Sequence, residues 1–282
     1  MKILFIGWGT NGFKCLKSLI QYKFTPKCVI VPEGYDVRGM QKICKQHSIP
    51  VVDFQSSDYL MSKIRTIKPD LMIIASFPKI LPGEIIHYPK FGSINVHTGE
   101  LPKYRGYHPL NWAIIRDEKQ VGVTIHYVEE KVDSGDILAQ KTIPLKNEDD
   151  INTIKEVLTQ LGAELLVQVV KKISKLKKKI KGMKQREDLA TYAPKRTAID
   201  GKIDWKNNTR DIFNLIRALK SPYPNAFAYD SNGNKIEFEE SFLSNNCGKV
   251  LSRIKDHYLI STGDNVILVK VKQQLKIGEI LR

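Results

Sequence analysis

Asn95 and His97 stand two residues apart at the end of a short run of β character that begins at Ser93. Side chains two apart on a strand share a face, so the pair presents an amide and an imidazole side by side. That pairing suits a reaction in which an oxygen turns negative while a proton moves. A fixed amide N–H is a donor for an oxyanion, and an imidazole shuttles protons near neutrality. A carboxylate that could join them is Asp133, in the stretch Val132 to Leu138. Asp133 and Asp136 flank a Ser-Gly turn there. An Asx turn explains either aspartate, and so does a fold-back of Asp133 toward His97; the sequence leaves both open.

Other chemistries find less support. There is no Gly-x-Ser-x-Gly elbow, and the four cysteines (Cys15, Cys28, Cys44, Cys247) have no base beside them in the sequence, so no covalent nucleophile is expected. They show neither CxxC nor Cys/His spacing, which excludes a disulfide framework and a zinc site and points to a reduced compartment. His97, His108 and His126 lack metal-ligand spacing, so no catalytic metal is expected. Gly7-Trp8-Gly9-Thr10-Asn11-Gly12 matches the dinucleotide fingerprint after a strand and before a helix, with Glu33 following. Glycines of that spacing cradle a pyrophosphate, or simply allow a tight strand-to-helix turn.

The elements that must position these groups can be read from periodicity. Strand-like runs at Ile3–Ile6, Cys28–Val31, Val51–Val52 and Leu71–Ala75 alternate with amphipathic stretches at 10–21, 38–47 and 58–67. That alternation predicts an α/β fold with a doubly wound, mostly parallel sheet. Asn95 and His97 then lie at a strand's carboxyl end, where such sheets build their sites. Further β runs are expected at 122–128 and 137–143. A long helix is expected from Ile151, capped by Asp149 or Asp150 and buried through Ile154, Val157, Leu161, Leu165, Val169 and Ile173. Residues 184–202 read as a polar linker. After it, a helix over 211–219 and short β runs, among them 249–254, separated by Asn-Gly, Cys-Gly and Gly-Asp turns, predict a small β-rich C-terminal domain. The expected division is 1–183 catalytic domain, 184–202 linker and 203–282 C-terminal domain.

The apolar content of 42% supports a real core, and the formal charge is +15. Nine Lys/Arg and no acid fall between Lys171 and Arg186, and removing them leaves 15 − 9 = +6. The run therefore reads as a solvated helical face with its linker, and no nucleic-acid partner is expected. No apolar stretch approaches membrane-spanning length and no leader is evident, so a cytoplasmic protein without a membrane partner is expected.

Three ordered motifs together are more specific than any one. Asn95-x-His97, Leu101-Pro102-Lys103-Tyr104-Arg105-Gly106 and Asp133-Ser134-Gly135, with Gly122-Val123-Thr124-Ile125-His126 between them, resemble the formyltransferases that use 10-formyltetrahydrofolate. Those include glycinamide ribonucleotide, methionyl-tRNA and amino-sugar formyltransferases. Gly99-Glu100 departs from the Ser-Leu of many members. The resemblance is strong over about residues 1–145 and continues at Ile203-Asp204-Trp205 and Pro222-Tyr223-Pro224. It implies Asn95, His97 and Asp133 as catalytic residues, with Asp133 orienting His97 and raising its pKa. It implies folate contacts from Phe77, Pro78, Lys79, Ile80 and Leu81 and from Glu129 and Asp136. It removes the need for NAD, leaving an NAD(P)-dependent oxidoreductase as the reading from another class.

For the acceptor, residues 104–112 and 222–227 resemble the branch that formylates amino sugars on nucleotide carriers. The connection Pro32 to Gly39 is short and carries two acids, unlike the basic insertion of the tRNA branch. The expectation is therefore a dTDP- or UDP-linked amino sugar of the kind built into lipopolysaccharide O-antigens. Lys103, Tyr104 and Arg105 would meet its pyrophosphate side and Tyr223 its base. Methionyl-tRNA is the alternative, and a homodimer is left open.

Overall fold

The computed structural model describes residues 1–230, 232–244, 253–254, 257–275 and 277. In chain order the elements are β1 (Ile3–Gly7), α1 (Gly9–Gln21), β2 (Cys28–Pro32), α2 (Arg38–Gln46), β3 (Val51–Phe54), α3 (Ser57–Ile67), β4 (Leu71–Ala75), α4 (Gly83–Ile86) and β5 (Ser93–His97). They continue with β6 (Arg105–Gly106), α5 (Pro109–Ile115), β7 (Gln120–Tyr127), β8 (Ile137–Pro144), α6 (Ile151–Leu176), β9 (Tyr192–Ala193) and α7 (Thr209–Ala218). Last come β10 (Ala226–Tyr229), β11 (Lys235–Ser244), β12 (Arg253–Ile254), β13 (His257–Ser261) and β14 (Val266–Val271).

One compact unit comprises Met1–Gly106, Gly122–Ile143 and Glu156–Tyr192. Its sheet runs in the order β3-β2-β1-β4-β5-β7-β8, parallel from β3 to β5 and antiparallel at β5–β7. The expected doubly wound, mostly parallel sheet is thus present. Strands β1, β2 and β4 are buried at all five positions, as parallel strands covered on both faces must be. Leu4, Ile6, Ile30, Met72 and Ile74 pack with Leu60 and Ile64 of α3 and Ile85 and Ile86 of α4. Ser56, absent from the sequence reading, caps α3 through a bond from Tyr59 N–H.

Helix α6 starts where expected: Asp150 Oδ1 accepts from Asn152 and Thr153 N–H, both at 2.9 Å. Ile154, Val169 and Ile173 of the expected face are buried, Leu161 and Leu165 are partly so, and Val157, 46% exposed, is the exception. Leu158, Leu166 and Val170 are buried as well. The closest approach is at Gly162. A Cβ there would lie 2.9 Å from Val123 Cγ2 and 3.1 Å from Val96 Cγ1. The helix thus sits close against the strand that carries Asn95 and His97, on the face opposite to them. Gly→Ala inside a helix ordinarily stabilises by about 1 kcal/mol. At Gly162 the β-branched neighbours cannot swing away, so Gly162→Ala should instead destabilise by about 1–3 kcal/mol. Urea unfolding measures this; a raised midpoint would show that α6 is free to back off.

The other unit comprises Tyr107–Val121, Pro144–Lys155 and Ala193–Arg282. The units interleave in sequence and do not follow a contiguous division at 183 and 203. Helix α5 joins the later residues because Asn111 donates to Ala218 O at 2.8 Å. Arg217 holds Lys146 O and Asp149 O at 2.6 and 2.9 Å. These long-range side-chain-to-backbone bonds leave no trace in sequence order. The expected β-rich part is a five-stranded sheet, β10-β11-β14-β13-β12, whose pairs are all antiparallel. The Asn232-Gly233 turn joins β10 to β11, with Gly233 at φ 84°. The Cys247-Gly248 turn and residues 249–252 of the expected strand lie outside the described residues; Arg253–Ile254 is β12.

Candidate active site

Strand β5 ends in the expected pair. Ile94 and Val96 are buried on one face, and Asn95 and His97 lie on the other. Antiparallel pairing sets His126 of β7 opposite Asn95 and Thr124 opposite His97. The loop after β7 then brings in Asp133, so the fold-back reading holds. Its carboxylate lies between two imidazoles: Oδ2 is 3.5 Å from His97 Nδ1, and Oδ1 is 3.4 Å from His126 Nε2. Gly106 N–H donates to Oδ2 at 2.9 Å and Asn95 Nδ2 to Oδ1 at 3.4 Å. Asn95, His97 and Asp133 are therefore one cluster, joined by His126, which the motif contained without signalling its part. Only the β5–β7 register reveals that part.

The hydrogen bonds assign tautomers. His97 Nε2 lies 2.9 Å from Tyr104 O. A carbonyl only accepts, so Nε2 carries the proton and Nδ1, facing Asp133, is the basic nitrogen of the neutral ring. His126 Nδ1 likewise donates to Tyr127 O at 2.7 Å. Its Nε2 is then free to accept from Asn95 Nδ2 at 3.2 Å. Burial of the His97 ring pulls its pKa below the ordinary histidine value and outweighs the nearby Asp133 carboxylate, which raises it. Asp133 thus acts on His97 in the expected direction, and the net shift is downward because the ring is also desolvated. Asp133 is held well below the usual carboxylate range. Its burial would raise it, but the two imidazoles and the Gly106 N–H prevail. At neutral pH the site thus holds a neutral imidazole whose basic nitrogen faces an ionised carboxylate. A proton arriving on Nδ1 creates an ion pair in place.

Two non-glycine residues here have left-handed backbones, Tyr104 at φ 58° and Asp133 at φ 50°. Tyr104 N–H bonds Thr191 Oγ1 at 2.9 Å, and its carbonyl holds His97. Thr124 Oγ1 donates to Gly99 O at 2.7 Å, and Gln140 Nε2 to Leu101 O at 2.7 Å. The 99–106 loop is thereby tied to the strand floor.

The expected substrate residues are placed differently. Arg105 is withdrawn from any ligand: its side chain is 0% exposed. Its guanidinium bonds Gln185 (3.1 and 2.9 Å), Glu187 (3.2 and 2.8 Å) and Tyr192 (3.2 Å). Tyr104 is also buried, and it serves through its backbone. Lys103 is exposed. Tyr223 belongs to the other unit, with its hydroxyl 3.0 Å from Lys155 Nζ and its ring edge-on to His108.

Of the expected folate residues, Leu81 is 7% exposed and belongs to the core. Phe77 is half-buried against the same cluster. Lys79 is exposed and Ile80 is 71% exposed. Both also border a pocket of about 530 Å³ with Pro32, Tyr35 and Phe54. Asn95, His97 and Asp133 do not line that pocket. Glu129 sits 3.8 Å from His87, and Asp136 takes Tyr127 N–H on its backbone oxygen at 3.0 Å. Phe77 stacks edge-on against Phe54, with ring centroids 5.2 Å apart. Among the described residues, no three His, Cys, Asp or Glu side chains group as a metal site requires.

The glycine-rich turn is explained by packing. A Cβ on Gly7 would lie 2.2 Å from Ala75 O and one on Gly12 3.1 Å from the same atom, while Gly9 has φ 64°. Asn11 adds a bond to Ser76 Oγ at 3.2 Å. The turn needs glycine with or without a phosphate.

Known proteins carry the same architecture. Residues 1–170 match the family model described as formyl transferase, and residues 195–281 match that of the formyl transferase C-terminal domain. The methionyl-tRNA formyltransferase of Caldanaerobacter subterraneus is 35% identical over 97% of this chain and 92% of its own. That of Thermodesulfovibrio yellowstonii is 35% identical over 96% and 90%. Among solved structures, the sugar 3N-formyl transferase WlaRD superposes with a TM-score of 0.75 at 20% identity, covering 98% of this chain and 99% of that one. The N-formyltransferase of Helicobacter canadensis, solved with folinic acid and dTDP-3-aminofucose, gives 0.75 at 21%, covering 97% and 100%.

These findings overturn the expected nucleotide-linked amino-sugar acceptor, and the O-antigen reading with it. The full-length relatives at 31–35% identity are methionyl-tRNA formyltransferases, while the sugar-modifying enzymes share the fold at 20–21%. The structure explains why the motifs misled. Arg105 is buried in a network, Asn111 bonds Ala218 O, and Trp112 Nε1 bonds Pro194 O at 2.9 Å. Residues 104–112 therefore report the fold and not the acceptor. With both halves matched to family models and full-length relatives at one-third identity, the chain belongs to the formyl transferase family and is a folate-dependent N-formyltransferase using 10-formyltetrahydrofolate.

Proposed function

We propose that this enzyme formylates the α-amine of methionyl-tRNA, with Asn95, His97 and Asp133 as its catalytic residues. The observation that carries the acceptor is the likeness, at 31–35% identity over 95–97% of the chain, to relatives named methionyl-tRNA formyltransferase. 10-Formyltetrahydrofolate supplies the formyl group. Phe77 and Pro78 would hold its flat ring, flanked by Lys79, Ile80, Glu129 and Asp136, whereas Leu81 packs in the core.

The side chains divide the work. As the amine nitrogen bonds the formyl carbon, His97 accepts the amine's proton on Nδ1, where Asp133 stabilises the imidazolium, and the proton passes to the folate N10 as the formyl C–N10 bond breaks; such proton transfer is typically worth about 100- to 10,000-fold. Asn95 offers an amide N–H to the oxygen that turns negative, a donor typically worth about 2.7–4 kcal/mol of barrier. Its present bonds to His126 and Asp133 are long, at 3.2 and 3.4 Å, and a charged oxygen competes for them.

A second feature supports a polyanionic acceptor. The eight lysines of the 171–186 run are exposed, and within the described ion pairs only Arg186 of that run is neutralised, by Asp188. The run ends beside Gln185, whose amide bonds the Asp133 loop at 2.7 and 2.8 Å. Charge needed by a tRNA can be carried here as well as in an insertion after β2, so the short Pro32–Gly39 connection does not count against it.

Salt separates the readings. Each phosphate contact adds about 0.7–0.9 to the slope of log affinity against log salt, so several contacts cost at least tenfold between 50 and 200 mM. KM for the acceptor should rise that steeply. Changing Lys175, Lys177, Lys178 and Lys181 to Gln should flatten the slope by about one to three with kcat unchanged. A flat wild-type profile would indicate a small acceptor held by one or two cations.

A further inference from the structure

Gln185 lies in the stretch that the sequence presents as a linker, yet every polar atom of its side chain is engaged. Nε2 donates to Asp133 O at 2.7 Å and to Gly135 O at 2.8 Å. Oε1 accepts from Arg105 Nε at 3.1 Å and Nη2 at 2.9 Å. Arg105 is fully buried and braced by Glu187, which also pairs with Lys131 of the catalytic loop at 2.7 Å. The clamped loop has two features that need holding. Asp133 is left-handed at φ 50°, a conformation that is strained for a non-glycine residue and persists only where the surroundings over-determine it. Gly135 is pressed so close that a Cβ would lie 2.0 Å from Tyr127 O. The carboxylate whose position matters is attached to the residue whose carbonyl Gln185 grips.

We infer that Gln185, seated by Arg105 and Glu187, is a positioning residue that sets the Asp133 carboxylate against His97 by clamping the backbone of residues 133–135. It touches neither reacting group. The inference rests on the proposed catalytic role of Asp133 and not on the identity of the acceptor. Its consequence runs through His97, whose ring is faced by Asp133, by His126 and by the Tyr104 carbonyl. Of these, only Asp133 carries negative charge that favours the imidazolium. If the clamp is lost and the carboxylate drifts, His97 must titrate at lower pH.

Two variants of the full-length enzyme test this. Gln185→Met keeps the length and neutrality and removes all four bonds. Gln185→Glu keeps acceptors for Arg105 and removes both donors to the loop, so it guards against a mere failure to fold. Both should lower kcat by roughly 10- to 100-fold with KM for folate and acceptor within about threefold, as misplacement of a catalytic group does. In Gln185→Met the His97 ring proton, followed by NMR titration of the enzyme without acceptor, should move to lower pH, in the same direction as in Asp133→Asn. Wild-type kcat in Gln185→Glu, or an unmoved His97 titration in folded Gln185→Met, overturns the inference. If Asp133→Asn itself retains full turnover, the catalytic reading of Asp133 fails instead, and the two failures are distinguishable.

Discussion

His97→Asn should lower kcat by at least 100-fold, a barrier increase of about 3 kcal/mol or more. The reason is positional. His97 Nδ1 is the one basic nitrogen that both lies on the site face of β5 and faces an ionised carboxylate. His126 spends its free nitrogen on Asn95. Asparagine can still donate to the Tyr104 carbonyl but cannot accept and carry a proton. Asp133→Asn should cost a similar factor, since it removes the charge that stabilises the imidazolium. The pH profile adds a signed check. The proposed proton transfer needs neutral His97, and burial holds its pKa below the ordinary value of about 6.5. The acid limb of kcat should therefore fall below that pH. Asp133 also contributes to stability with a defined sign. Its folded-state pKa is depressed, so its ionised form stabilises the fold above the unfolded value of about 3.9, and this is lost as pH falls below it. The stability gap between wild type and Asp133→Asn should close in the same window. Near-wild-type turnover in His97→Asn would remove the imidazole from the mechanism.

The sequence carried the parts of this site that depend on local rules. Alternation along β5 placed Asn95 and His97 on one face, and strand–helix periodicity placed that face at the carboxyl edge of a parallel sheet. Long-range pairing was hidden. Nothing in residues 184–202 marks Gln185 as a clamp, because a side chain reaching a backbone carbonyl 50 residues away has no periodicity. Arg105 was misread for a related reason. A cation in a glycine-flanked loop looks available until its partners at 185, 187 and 192 are known. On α6 only Val157 was misplaced, because hydrophobicity alone cannot show that Gly162 is the point of closest approach. The basic run was legible as charge, but its meaning depends on the acceptor.

The acceptor itself carries the second large effect. With methionyl-tRNA and 10-formyltetrahydrofolate, the enzyme should form N-formylmethionyl-tRNA at an ordinary enzymatic rate, on the order of 1–1,000 per second. Nucleotide-linked amino sugars should give kcat/KM lower by orders of magnitude, because they offer no polyanion for the 171–186 lysines. The most direct measurement follows a labelled formyl group offered to both acceptors in one reaction. The tRNA ester is then hydrolysed and the products are identified by mass spectrometry. The label is expected on the methionine amine, with none on the sugar and at least 100-fold slower labelling in the His97→Asn reaction. Label on an amino sugar, with methionyl-tRNA left unmodified, would contradict it.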